Sequence, residues 1–61
     1  MYRVTRNGMD FYTAETMEDA IEWATGAAPA KPPKGFQWKV MQGSKCVAVV
    51  KYNPLPLVVK A

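Results

Sequence analysis

The residues that could do chemistry in this chain are few, and they do not assort into a catalytic set. There is no histidine, one cysteine and five carboxylates. Lack of histidine removes the usual general base near neutral pH and the commonest metal ligand. Cys46 therefore has no partner for a Cys–His nucleophile pair, and one thiolate cannot build a zinc site. No glycine-rich phosphate-binding loop is present. These absences predict a protein that is not an enzyme, with no catalytic, cofactor-binding or metal-binding residues and no cofactor. What remains is charge and aromatic surface. The cations are spread over Arg3, Arg6, Lys31, Lys34, Lys39, Lys45, Lys51 and Lys60. The candidate partner-binding residues are Arg3, Tyr12, Lys39 and Lys45 on a sheet, and Glu18 and Glu22 on a helix. Ordinary solvated charge accounts for the same residues, so both readings stand at this point.

Those side chains must be positioned by a very small domain. A chain of 61 residues forms one domain and buries only about 60% of its unfolded surface. A hydrophobic content of 49% excludes a disordered chain. One cysteine excludes an internal disulfide framework and fits a reducing compartment, so the expected location is cytoplasmic. No signal peptide and no apolar run near the ~20 residues of a membrane span is seen, so no membrane association is expected. The net charge of +3 permits acidic partners. It does not demand nucleic acid, because the cations are scattered and the helix is acidic.

The helix is read over Thr16–Gly26. Thr16 is a suitable N-cap, and Glu18 and Asp19 put negative charge at the positive end of the helix dipole. Met17, Ala20, Ile21 and Ala24 recur at helical spacing as an apolar stripe, with Glu18, Asp19 and Glu22 facing away. Gly26 is expected at C′, and Pro29 limits continuation. The acidic face is either a solvated exterior or a contact strip for a basic surface.

Two hairpins flank the helix. Asn7-Gly8 between alternating segments predicts a type I′ turn. Regular pairing from that turn sets Val4 opposite Phe11 and Arg3 opposite Tyr12, with Tyr2, Val4, Met9 and Phe11 on the core face and Arg3, Thr5, Asp10 and Tyr12 on the wet face. Gly43-Ser44 predicts a type II′ turn, which sets Trp38 opposite Val49 and Val40 opposite Val47. The expected core is Tyr2, Val4, Phe11, Met17, Ile21, Ala24, Trp38, Val40, Val47 and Val49. The proline-rich stretch from Ala27 to Gly35 reads as an extended loop. Asn53-Pro54-Leu55-Pro56 stops the last hairpin strand, and the tail within 53–61 is an edge strand or an arm. No internal repeat is visible. The expected fold is α+β, in the order ββαββ: one short helix packed on an antiparallel sheet made of two hairpins. The chain is a monomer, or a dimer through its C-terminal segment.

The run Ala14-Glu15-Thr16-Met17-Glu18-Asp19-Ala20-Ile21-Glu22-Trp23-Ala24, followed by Pro33-Lys34-Gly35-Phe36-Gln37-Trp38, resembles the small host RNA polymerase inhibitors of podovirus-type phages. In that family a strand leads into a similar helix opening, and a Pro-x-Gly-Phe entry to the next strand follows. The resemblance covers about residues 11 to 46. It implies a phage protein of host takeover, acting in the bacterial host cytoplasm through protein–protein interaction. The implied partner is RNA polymerase, bound at the jaw of its largest subunit inside the DNA channel. The implied effect is blocked open-complex formation, hence transcription inhibition. The chain departs from the family in a longer loop after the helix, in Val40 and Gln42 near the positions of an arginine pair, and in the segment after Cys46, which has no counterpart. Lys39 and Lys45 neighbour the arginine-pair positions. The second reading is a small nucleic-acid-binding module that uses a basic outer sheet face.

Overall fold

The computed structural model describes residues 1–52 and 55–60. The fold is α+β. Among these residues five antiparallel strands form one sheet, and one helix lies across it. The strands are β1 (Tyr2–Arg6), β2 (Met9–Ala14), β3 (Gln37–Gln42), β4 (Lys45–Tyr52) and β5 (Pro56–Lys60), and the helix α1 (Met17–Gly26) follows β2. The spatial order is β2-β1-β3-β4-β5. The chain thus runs ββαβββ rather than ββαββ. The tail supplies an edge strand on β4, with Val50 opposite Val58 and Lys51 opposite Leu57. Asn53 and Pro54, the first half of the expected strand stop, lie outside the described residues.

Both expected turns form. Asn7 and Gly8 have φ of 54° and 78°, the left-handed pair that a type I′ turn requires. Arg6 then faces Met9, and Gln42 faces Lys45 across the second turn. Beyond two paired positions each hairpin departs from the regular register, because each contains a β-bulge. In the first, Thr5 faces Asp10 but Val4 faces Tyr12, so Phe11 is the extra residue. In the second, Met41 faces Cys46 but Val40 faces Ala48, so Val47 is the extra residue. One inserted residue reverses the facing of everything beyond it. Trp38 consequently faces Val50, Lys39 faces Val49 and Gln37 faces Lys51.

The core follows from that shift. Val4, Val40 and Val50 are fully buried under the helix, together with Ala14, Phe36, Trp38, Ala48 and Tyr52. Of the expected core, Val49 falls on the face away from the helix, opposite Lys39, and is half-buried. Phe11 is 48% exposed, and Tyr2, Met17, Ile21 and Val47 are half-buried. The helix meets the sheet through Ala20 and Ala24, both fully buried. Small side chains one turn apart let the backbones approach closely, which is why the bulky Ile21 sits beside the contact rather than in it.

The helix ends are held by different devices. Thr16 caps the start as expected, its hydroxyl accepting from the Asp19 N–H at 3.1 Å. At the other end Gly26 is the last helical residue and Ala27 the C-cap, so the expected left-handed glycine is not used. Aromatic donors from the sheet take its place. The Tyr52 hydroxyl donates to the Ala24 carbonyl, and the Trp38 indole N–H donates to the Ala27 carbonyl at 2.7 Å. Both satisfy carbonyls that a helix terminus leaves without intrahelical partners. The loop after the helix ends in a tight turn. The Phe36 N–H donates to the Pro33 carbonyl at 3.0 Å with Gly35 at φ 83°, a type II turn that needs glycine there. Phe36 then packs edge-on against Trp38 and Tyr52, and the Arg6 guanidinium covers its ring at 4.4 Å.

Candidate functional site

The bulges also divide the six candidate residues between two sides of the sheet. Arg3 and Lys39 lie on the face away from the helix, on neighbouring strands, where they line an open depression with Thr5, Gly8, Asp10 and Met41. Thr5 sits between them and is the buried polar residue of that face. Arg3 is not free. Its guanidinium forms an exposed ion pair with Asp10 at 3.3 Å and donates to the Gly43 carbonyl. Lys39 is exposed, and it faces Val49 on one side and Thr5 on the other.

Tyr12 does not belong to this face. The bulge at Phe11 turns it towards the helix, where its ring stacks on Trp23 with centroids 4.9 Å apart and planes 3° apart. The expected contact between Arg3 and Tyr12 is therefore replaced by Arg3 opposite Thr13. The Tyr12 hydroxyl points to the Asp19 carboxylate at 3.3 Å. Partial burial, the Asp19 charge and hydrogen bond, and the Glu22 charge all raise the Tyr12 phenol above its ordinary 10.0. It stays neutral and acts as a hydrogen-bond donor.

Glu22 joins Tyr12 in a second depression, completed by Asp19, Trp23, Gly26 and Ala27. Glu18 is exposed one turn earlier on the helix. Lys45 stands apart from both groups, at the start of β4 opposite Gln42, whose amide reaches the Tyr2 hydroxyl at 3.4 Å on the helix side. The structure thus brings together two pairs, Arg3 with Lys39 and Tyr12 with Glu22. It leaves Glu18 and Lys45 separate.

Trp23 and Asp19 are surface residues of this site that the sequence reading did not select. Their signal was present: Asp19 and Trp23 are four apart, as are Glu18 and Glu22, and so share one helix side. What could not be read was that Tyr12 would meet them there. Among the described residues no three of Cys, Asp and Glu come together as a metal site, and no helix is long and apolar enough to cross a membrane. Cys46 is half-buried on the sheet, its thiol directed to the Ala48 carbonyl. Together these features make a small single-sheet protein with a cationic patch on one side and an aromatic–acidic one on the other. No family model, curated protein or solved structure matches the chain.

Proposed function

We propose that this chain is a small non-enzymatic inhibitor of the phage type, which binds a bacterial host macromolecule in the host cytoplasm. RNA polymerase is the target, and host transcription is what it blocks. The observation that carries this reading is the resemblance of Ala14–Ala24 and Pro33–Trp38 to the polymerase inhibitors. Two physical features support it. The helix presents Glu18 and Glu22 outward with no cation in its last turn to neutralise them. The depressions in the surface are open and flanked by charge, which suits a macromolecular contact better than an enclosed substrate site.

The test is an abortive-initiation assay with purified bacterial RNA polymerase on a linear promoter template. Added chain should lower open-complex formation, and charge reversal at Glu22 or Lys39 should weaken that effect with little change in melting temperature. Unchanged open-complex formation at saturating chain rejects the polymerase reading. The alternative, a nucleic-acid-binding module on the outer face, has less to stand on. Tyr12, its stacking residue, lies on the helix side, and Arg3 is already paired with Asp10. Phosphate binding would show as affinity falling steeply with salt, by a slope near −0.9 per contact.

A further inference from the structure

The two edges of the sheet are built differently. β2 is a protected edge. The bulge at Phe11 breaks its line, Asp10 is charged and exposed, and Glu15 follows its end. These are the devices by which natural edge strands avoid pairing with other chains. β5 has them only at its ends, in Pro56 and Lys60. Between those ends Leu57, Val58 and Val59 pair with β4 without any register shift. Leu57 is 62% exposed and Val59 44%. They stand on the face away from the helix, in cross-strand rows that run Gln37–Lys51–Leu57 and Thr5–Lys39–Val49–Val59. The result is an apolar edge strand with a regular register, and among the described residues no strand pairs with its outer side.

On the face away from the helix, the charge beside this edge has one sign among the described residues. All five carboxylates lie between Asp10 and Glu22, and no acidic residue follows Glu22 in the sequence. Lys51 is exposed and stands one strand behind Leu57, at a spacing of about 4.8 Å that its side chain can overreach. Lys39 stands two strands behind Val59, and Lys60 closes the strand itself. A second copy paired through β5 would set Lys51 and Lys39 of this face near their copies, with Asp10 of the same face at the far edge of the sheet, so charge disfavours it.

We propose that β5 is a docking edge for an extended, acidic segment of a partner protein, which adds to the sheet as a sixth strand. The segment places apolar side chains over Leu57 and Val59 and carboxylates within reach of Lys51 and Lys60. Main-chain hydrogen bonds hold it, and the alternating pockets and lysines select it. This site lies beyond the stretch that resembles the polymerase inhibitors, and it does not depend on polymerase being the target.

The experiment pans a displayed library of random dodecapeptides against the intact, immobilised chain, then synthesises the most enriched peptide for amide chemical-shift mapping. The expected peptides combine β-branched or aromatic residues with two or more Asp or Glu. They shift the amides of Leu57, Val58 and Val59 and protect those whose N–H points away from β4. Lys51→Glu should weaken the best peptide about fivefold, the scale of an exposed charge contact. Leu57→Lys, at an exposed position, should abolish binding while leaving the spectrum of the core intact. Five results overturn the proposal: no enriched peptide, enriched peptides that are neutral or basic, shifts confined to other elements, a dimer that Leu57→Lys converts to monomer, or a single-stranded oligonucleotide that moves the same amides.

Discussion

The two hairpins are the same device used for different ends. Their central strands pair through Val4 and Val40, and adding 36 (40 − 4) to a number in the first hairpin names its counterpart in the second. Turn, bulge and buried valine coincide: Asn7 with Gly43, Phe11 with Val47, Val4 with Val40. The residues at those shared positions diverge. Where the first hairpin has Tyr2, half-buried, the second has Trp38 in the core. Where the first has Arg3 and Asp10 as an ion pair, the second has Lys39 and Cys46 and so leaves its cation without that partner. The exits differ too. Two residues past the end of the first, Thr16 caps the start of the helix, while the second ends in Tyr52, which holds its last turn. Equal registers thus carry unequal work. The second hairpin stabilises the domain, and the first presents the paired charge and the tyrosine.

That division can be broken by measurement. The largest difference is expected at the Tyr2/Trp38 pair. Trp38→Ala removes a buried aromatic and the donor to the Ala27 carbonyl, and it should cost about 3–5 kcal/mol in urea denaturation. Tyr2→Ala, at the half-exposed counterpart, should cost about 1 kcal/mol. Equal losses would mean that the two hairpins share the core evenly.

The helix ends give the next comparison. Tyr52→Phe leaves the Ala24 carbonyl without its donor and should cost about 1–3 kcal/mol. Thr16→Ala should cost about 1 kcal/mol. The tyrosine carries a pH signature that the threonine lacks. Burial raises the Tyr52 phenol above its ordinary 10.0. The folded state therefore favours the neutral form. Its contribution is complete below the unfolded value and is lost as pH rises from there through the raised folded value. The melting temperature should fall above pH ~10, and Tyr52→Phe should flatten that fall. A fall unchanged in Tyr52→Phe would assign it to Tyr12, which is raised in the same direction.

The smallest effect is expected on the outer face. Asp10→Asn breaks an ion pair whose side chains are 39% and 54% exposed, and it should change stability by less than about 1 kcal/mol. It should nevertheless remove the negative charge beside Arg3, whose donation to the Gly43 carbonyl remains, and make the first hairpin resemble the second in charge. Tighter binding of a polyanion such as heparin to Asp10→Asn, read by salt-dependent elution, would show that the pairing alone separates the two. Unchanged elution would place the difference elsewhere.

What the sequence determined by itself is local. Thr16, the apolar stripe from Met17 to Ala24 and the acids of the first turn specify the helix, because capping and dipole effects act within a turn of chain. Asn7-Gly8 and Gly43-Ser44 specify both turns, because backbone φ is a property of the residue. These elements settle the α+β class. Only the tertiary structure decided which side chains face the helix. A strand alternates every second residue, so one bulge residue, Phe11 or Val47, exchanges the faces of all that follow. Nothing in the residue types near either turn marks the insertion. It arises where Tyr12 can stack on Trp23 and Ala48 can lie under the helix, contacts between segments distant in the chain. The same holds for β5, whose proline-flanked apolar run is a strand because β4 offers it a partner. Arg3 and Lys39 share a face in either register, being on central strands and two positions from one another across the pair. Tyr12 lay beyond the bulge, and so its side was decided by packing alone.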